Sequence, residues 1–286
     1  MTAREKYNEL KASLAPALGA GEAEGAARIL MEDLAGFDRR KLFTDGDRTL
    51  LGFTEGKLDA AAKSILAGEP VQYAVGRARF YGLDFKVSPA VLIPRPETEG
   101  LVDLVVDRMG ARSDLRGLDV CTGSGCIAVA LARTLPFCRM DALELSPEAL
   151  EVAEENAKTL APGTVTVFRG DALHIKGLPA ASYDFIVSNP PYVLPSEARD
   201  MDARVLEKEP GMALFVPEND PLLFYRAISA YAIGALKAGG MLFFEINSTQ
   251  GEAMRRLLSE EGFEAASIEI LRDYKGNIRY ALARKQ

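Results

Sequence analysis

From Gly117 onward, short apolar runs alternate with longer amphipathic stretches. Leu118-Asp119-Val120-Cys121, residues 140–144, residues 165–168, Tyr183–Ser188 and residues 241–246 read as strands. Between them, Cys126–Thr134, a stretch opened by Ser146-Pro147-Glu148, residues 222–236 and residues 252–261 read as helices. Ser146 suits an N-cap and Pro147 the first helical position, while Gly239-Gly240 and Gly262 mark helix ends. Strands alternating with helices call for a parallel sheet covered on both faces, an α/β fold. Two late strands, residues 266–271 and 279–283, suggest a closing hairpin, so at least one edge strand should run antiparallel.

The first part of the chain has a different period. Leu10, Leu14 and Leu18 recur at helical spacing, and residues 26–31 and 58–66 continue the pattern, which predicts a small helical bundle over residues 1–70. Strand composition around Gly82 predicts a β-hairpin linker within residues 71–93, leaving 94–286 for the α/β domain. A proline-punctuated loop, residues 92–99, leads into a helix beginning near Leu101 that Thr98 could cap.

Composition narrows the function classes. The 286 residues are 48% hydrophobic, enough for one large core and a smaller one. A membrane span is not expected, nor a signal sequence in the polar stretch from Met1 to Lys6, and we expect a cytoplasmic protein. Net charge is −7, with no block of lysine and arginine, which argues against stable binding of long nucleic acids. The three cysteines, Cys121, Cys126 and Cys138, lack metal-ligand spacing and read as reduced core residues. His174 is the single histidine and reads as an ordinary surface residue, so histidine-based triads are excluded and no metal site is expected.

Asn189-Pro190-Pro191-Tyr192 is the stretch richest in chemistry. It follows a buried strand, at the end where α/β sheets open a binding crevice. Two prolines remove two backbone donors and leave carbonyls free to accept, Asn189 adds an amide oxygen, and Tyr192 a flat ring. Together they suit a planar group bearing an NH2. Thr122-Gly123-Ser124-Gly125 forms a tight turn before a helix N-terminus, where unpaired N–H groups receive a ligand. Glu144, at the end of the second strand, is placed to accept from ribose hydroxyls, and Asp171, with Ala172 beside it, from an adenine amine. Gly123-Ser124-Gly125-Cys126-Ile127-Ala128 also satisfies a dinucleotide fingerprint, so a nicotinamide-dependent oxidoreductase stays open at this point. That reading leaves the proline pair unexplained, whereas S-adenosylmethionine accounts for every feature: ribose at Glu144, amino-acid end at the glycine turn, methyl group toward Asn189.

These residues, with Pro94-Arg95-Pro96-Glu97-Thr98-Glu99, Ser146-Pro147-Glu148-Ala149-Leu150, Glu245-Ile246 and Gln250-Gly251, resemble the HemK/PrmC family of peptide chain release factor N5-glutamine methyltransferases. The likeness extends over nearly the whole chain, including Gln72-Tyr73 and Phe80-Tyr81-Gly82. Asn-Pro-Pro-Tyr alone is shared with enzymes that methylate adenine N6 in nucleic acids, the alternative reading; the Pro-Arg-Pro-Glu-Thr-Glu segment is more specific. The resemblance implies a Rossmann-like class I methyltransferase domain with a seven-stranded, mostly parallel sheet, preceded by a helical substrate-recognition domain. It further implies S-adenosylmethionine as cofactor, S-adenosylhomocysteine as product, and the Gly-Gly-Gln glutamine of class 1 release factors as substrate for a monomeric enzyme. Asn189, Pro190 and Tyr192 are then the catalytic corner. Cys121, Thr122, Gly123, Ser124, Gly125, Glu144, Asp171, Ala172 and Asn189 hold the cofactor, while Pro191, Arg95, Pro96, Glu97 and Thr98 join the corner against the substrate. The chain departs from the family pattern at Cys121 and Asn247, both usually glycine.

Overall fold

The computed structural model describes residues 1–286 apart from the side chain of Asp200. The chain forms two compact units, Met1–Arg77 with Asp202–Lys208, and Ala78–Met201 with Glu209–Gln286.

Five helices make most of the first unit: α1 (Ala3–Leu18), α2 (Ala20–Ala35), α3 (Arg39–Thr44), α4 (Gly52–Leu66) and α5 (Val71–Val75). Thr2 and Glu5 close a capping box over the start of α1. Leu10 and Leu14 of α1 pack with Leu30 and Met31 of α2 and Leu58 of α4, all fully buried, and small Ala23, Ala26 and Ala27 let α1 and α2 approach closely. The buried stem of Lys6 reaches Asp59 at 2.5 Å, so the ammonium is paired where it leaves the core.

The second unit opens with a hairpin of β1 (Arg77–Phe80) and β2 (Leu83–Lys86). Tyr81 and Gly82 both have positive φ, as a two-residue hairpin turn requires. α6 (Pro96–Met109), β3 (Arg116–Val120), α7 (Cys126–Thr134), β4 (Arg139–Glu144), α8 (Pro147–Leu160), β5 (Val165–Arg169) and β6 (Tyr183–Ser188) follow. Then come α9 (Ala203–Lys208), which belongs to the first unit, α10 (Gly211–Leu214), α11 (Leu223–Ala235), β7 (Leu236–Glu245), α12 (Gly251–Glu260), β8 (Glu269–Arg272) and β9 (Ile278–Arg284).

The seven strands are ordered β5-β4-β3-β6-β7-β9-β8. Period-two alternation sends Phe185, Val187, Met241 and Phe243 to the face covered by α6 and α7. Ile186, Leu242 and Phe244 point to the other face, under α11 and α12. Both faces are buried, which is why the strands read as continuous apolar runs. Gly117 is obligatory in β3, because a Cβ there would lie 2.4 Å from Cζ of Phe185. Strand order reverses between β3 and β6, and the crevice at such a point lies beyond the strands' carboxyl ends.

Several boundaries differ from the sequence reading. Gly239-Gly240 does not end α11; the helix stops at Ala235, and the glycines lie within β7, which begins at Leu236 with a register shift against β6. The antiparallel strand is β9, one in from the edge, while edge strand β8 runs with the parallel set. Residues 265–267 form a 3-10 turn instead of strand. Residues 71–75, expected within the hairpin linker, form α5. Among the described residues, no helix is long and apolar enough to cross a membrane.

Candidate functional site

A cleft opens at the carboxyl ends of β3, β4, β5 and β6. β3 delivers Cys121, Thr122, Gly123 and Ser124; β4 delivers Glu144; Asp171 and Ala172 follow β5; Asn189 and Pro191 follow β6. Arg95 and Thr98 face the cleft from the start of α6, and Met212 and Ala213 of α10 complete the wall. Gly125, Pro190, Tyr192, Pro96 and Glu97 are not among the lining residues.

The turn after β3 is built from the inside. Asp119, fully buried, accepts from the Thr122 hydroxyl at 2.5 Å and from the Ala128 backbone N–H at 3.2 Å, capping α7 and bending the chain between them. Burial pushes its carboxyl up to about 7, against the pull of those two donors. Cys121, Gly123 and Gly125 all have positive φ. For Cys121, at +62°, this is a conformation that disfavours any side chain, which explains a usual glycine at this position. Among the described residues, Ser124 Oγ is buried without a hydrogen-bond partner at the mouth of α7.

Glu144 does more than the sequence reading gave it. Its Oε1 accepts from the backbone N–H of Leu145 at 2.9 Å and of Ser146 at 3.0 Å, and its Oε2 from that of Gly123 at 2.9 Å. The carboxylate thus staples the glycine turn to β4, and one lone-pair position on Oε2 remains for a ligand hydroxyl. Burial raises its pKa while the three N–H groups oppose the rise. Asp171 is partly engaged, accepting from Leu173 N at 2.8 Å and facing His174 Nδ1 at 3.0 Å; the contact with His174 leads in holding its carboxyl low. His174 itself is exposed.

At the corner after β6, Pro190 and Pro191 are buried, and among the described residues no donor reaches the Pro190 carbonyl. Nδ2 of Asn189 lies 3.3 Å from Oγ1 of Thr98. Thr98 is not the N-cap; Arg95 is, with Pro96 at the first position, and Thr98 sits in the first turn with its hydroxyl given to Glu245 at 2.8 Å. Tyr192 packs beneath the sheet's α11 face and donates its hydroxyl to the same carboxylate at 3.1 Å. Arg95 reaches buried Glu209 at 2.5 Å, whose other oxygen accepts from Ile93 N at 3.1 Å, so its charge stiffens the cleft rim. Glu97 points away, to Lys275 at 2.6 Å. At the second departure from the family pattern, Asn247 donates to Glu197 at 3.0 Å and to the Tyr192 carbonyl at 3.4 Å, tying down the segment after the proline corner. Glu245 and Asn247 had no sequence-derived role. A carboxylate ending an otherwise apolar strand is the signal that could have singled out Glu245.

The thiols of Cys126 and Cys138 are pushed up to about 12 by burial. Buried and held protonated, neither should react with iodoacetamide in the folded protein, as peptide mass mapping will show, whereas denaturant should expose both.

Residues 100–209 match the model of the methyltransferase small domain, and residues 7–76 that of the PrmC N-terminal domain. A release factor glutamine methyltransferase of Bacteroides thetaiotaomicron is 40% identical over 265 residues, covering 92% of this chain and 93% of that protein. One of Moorella thermoacetica is 37% identical over 285 residues, covering 99% and 98%. Among solved structures, a methyltransferase from Pyrococcus furiosus shares the fold, with a TM-score of 0.52 at 18% identity over 78% of this chain and 95% of that one.

Proposed function

The chain belongs to the family of release factor glutamine methyltransferases, and from that premise we propose that it transfers a methyl group from S-adenosylmethionine to N5 of the Gly-Gly-Gln glutamine of class 1 release factors, as a monomer in the cytoplasm. The cleft suits the cofactor in its set of donors and acceptors. Glu144 would accept a ribose hydroxyl, Asp171 and Ala172 would flank the adenine, and the turn from Cys121 to Gly125 would take the amino-acid end, with the orphaned Ser124 hydroxyl among its partners. When bound, the cofactor supplies an electrophilic methyl on a positively charged sulfur.

The observation that carries the reading is the Asn189 corner. With Nδ2 occupied by Thr98, Oδ1 is the atom left to accept one N–H of a substrate carboxamide; the donor-free Pro190 carbonyl would accept the other. Held by both hydrogens, the amide nitrogen becomes more electron-rich and is aimed along one line of attack. Pro191 and the anchored Tyr192 would wall the amide on its flat side, and Arg95 and Thr98 would border the approach. No strong base is required, because the nitrogen turns acidic once methylated. The helical unit would serve to grip the release factor.

Labelled S-adenosylmethionine, incubated with the protein and a release factor, its Gly-Gly-Gln Gln→Ala variant, or DNA, tests this directly. Label should enter the wild-type release factor alone; label on DNA, or undiminished label on the variant, would refute it.

A further inference from the structure

We infer that Thr98 and Glu245 are positioning residues that fix the side-chain amide of Asn189 with its oxygen toward the cleft, an inference that rests on the carboxamide reading above. An asparagine amide has two orientations of nearly equal shape and opposite chemistry. In one, Asn189 offers an acceptor to the substrate N–H; in the other it offers its own N–H groups, and donor meets donor. Something must choose between them.

The choice follows from proton counting. Glu245 is 2% exposed; burial raises its pKa, the Thr98 hydroxyl, the Arg279 guanidinium and the Tyr192 hydroxyl oppose that rise and favour the ionised form, and a carboxylate can only accept. It sits at the end of β7, receives the Tyr192 hydroxyl on one oxygen at 3.1 Å and the Thr98 hydroxyl on the other at 2.8 Å, and has the Arg279 guanidinium at 4.0 Å to balance its charge. Asp273 steadies that guanidinium at 3.5 Å. The single hydroxyl proton of Thr98 is therefore committed to Glu245, so toward Asn189 the hydroxyl shows only lone pairs. Only the NH2 end of the amide can meet them, at 3.3 Å. Reversing the amide would set two acceptors against each other in a site where Thr98 is 3% exposed, and an unpaired buried polar group there is costly. Four elements, α6, the corner after β6, β7 and β9, meet to specify one amide orientation.

Three enzymes should be compared in steady-state methylation of a release factor: wild type, Thr98→Val, which keeps the side chain's size without its hydroxyl, and Thr98→Ser, which restores the hydroxyl alone. Thr98→Val should lower kcat about 10- to 100-fold, leaving KM for the release factor and Kd for S-adenosylmethionine within about threefold. Thr98→Ser should recover kcat to within about fivefold of wild type. The relay is refuted if Thr98→Val keeps kcat within about twofold, if Thr98→Ser is as impaired as Thr98→Val, or if cofactor affinity falls in step with kcat. Should Thr98→Val fail to fold, hydrogen exchange of the wild-type Asn189 side-chain amide, assigned by its loss in Asn189→Ala, decides instead: one protected Nδ2 proton is expected, and two freely exchanging protons overturn the relay. A wild-type enzyme that is inert on the release factor overturns the functional reading and the relay together; an active wild type with an equally fast Thr98→Val overturns the relay alone.

Discussion

Asn189→Ala is expected to lower kcat for glutamine methylation by roughly 30- to 1,000-fold, equivalent to about 2–4 kcal/mol of barrier, while Kd for S-adenosylmethionine stays within about threefold. An amide nitrogen is a poor nucleophile because its lone pair is shared with the carbonyl, so catalysis here consists of holding it still and polarising it. Asn189 would supply one of the two acceptors that do this, and truncation to alanine removes its oxygen while leaving the Thr98 hydroxyl bound to Glu245. Single-turnover rates with saturating cofactor, beside calorimetric cofactor binding, separate the two quantities. Equal losses in rate and affinity would mean that Asn189 serves the cofactor instead of the reacting amide.

Glu144→Ala should act on the other quantity. Cofactor affinity is expected to fall about 10- to 150-fold, the weight of a hydrogen bond to a charged acceptor, with kcat at saturating cofactor reduced no more than about threefold. The truncation removes the proposed ribose acceptor and also releases the backbone N–H groups of Gly123, Leu145 and Ser146, so the glycine turn loses its tie to β4. The same residue sets a pH dependence. Burial raises the Glu144 pKa above the ordinary carboxylate value, so acidification protonates it sooner than a surface glutamate and weakens cofactor binding. For folding the sign is opposite: a raised pKa contributes stability below the unfolded value, and that contribution is lost as pH rises through the folded value. Calorimetry between pH 5 and 8 should show wild-type affinity declining toward acid, and a smaller decline in Glu144→Ala, where the buried Asp119 beneath the same turn still titrates.

Much of this architecture is written locally. Continuous apolar strands, the Ser146-Pro147 helix start and the limits of α7 follow from period and capping chemistry within a few residues, and the structure has them where the pattern puts them. What local pattern hides are decisions made by distant partners. Thr98 looks like a cap until Glu245, 147 residues away, claims its hydroxyl. Gly239-Gly240 looks like a helix stop, yet β6 pairs with Leu236 as well as with Met241 onward, and the strand runs through. Tyr192 reads as a flat ring from its own sequence, and only the structure shows that its hydroxyl is moored to a buried carboxylate 53 residues away. In each case long-range burial and pairing, absent from neighbouring sequence, settles the role.

Cys121 closes the turn after β3 and lines the cleft in a strained backbone conformation. If this cleft takes the methyl donor as proposed, an alkylating agent would sit beside sulfur, inherently a stronger nucleophile than any carboxamide. Burial, followed by the negative charges of Glu144 and Asp119, holds that thiol's pKa far above the ordinary range. Burial first, and then the acidic lining proposed to recognise the donor, would thus keep the enzyme from consuming it on itself, so that a cysteine could stand there without becoming a suicide acceptor.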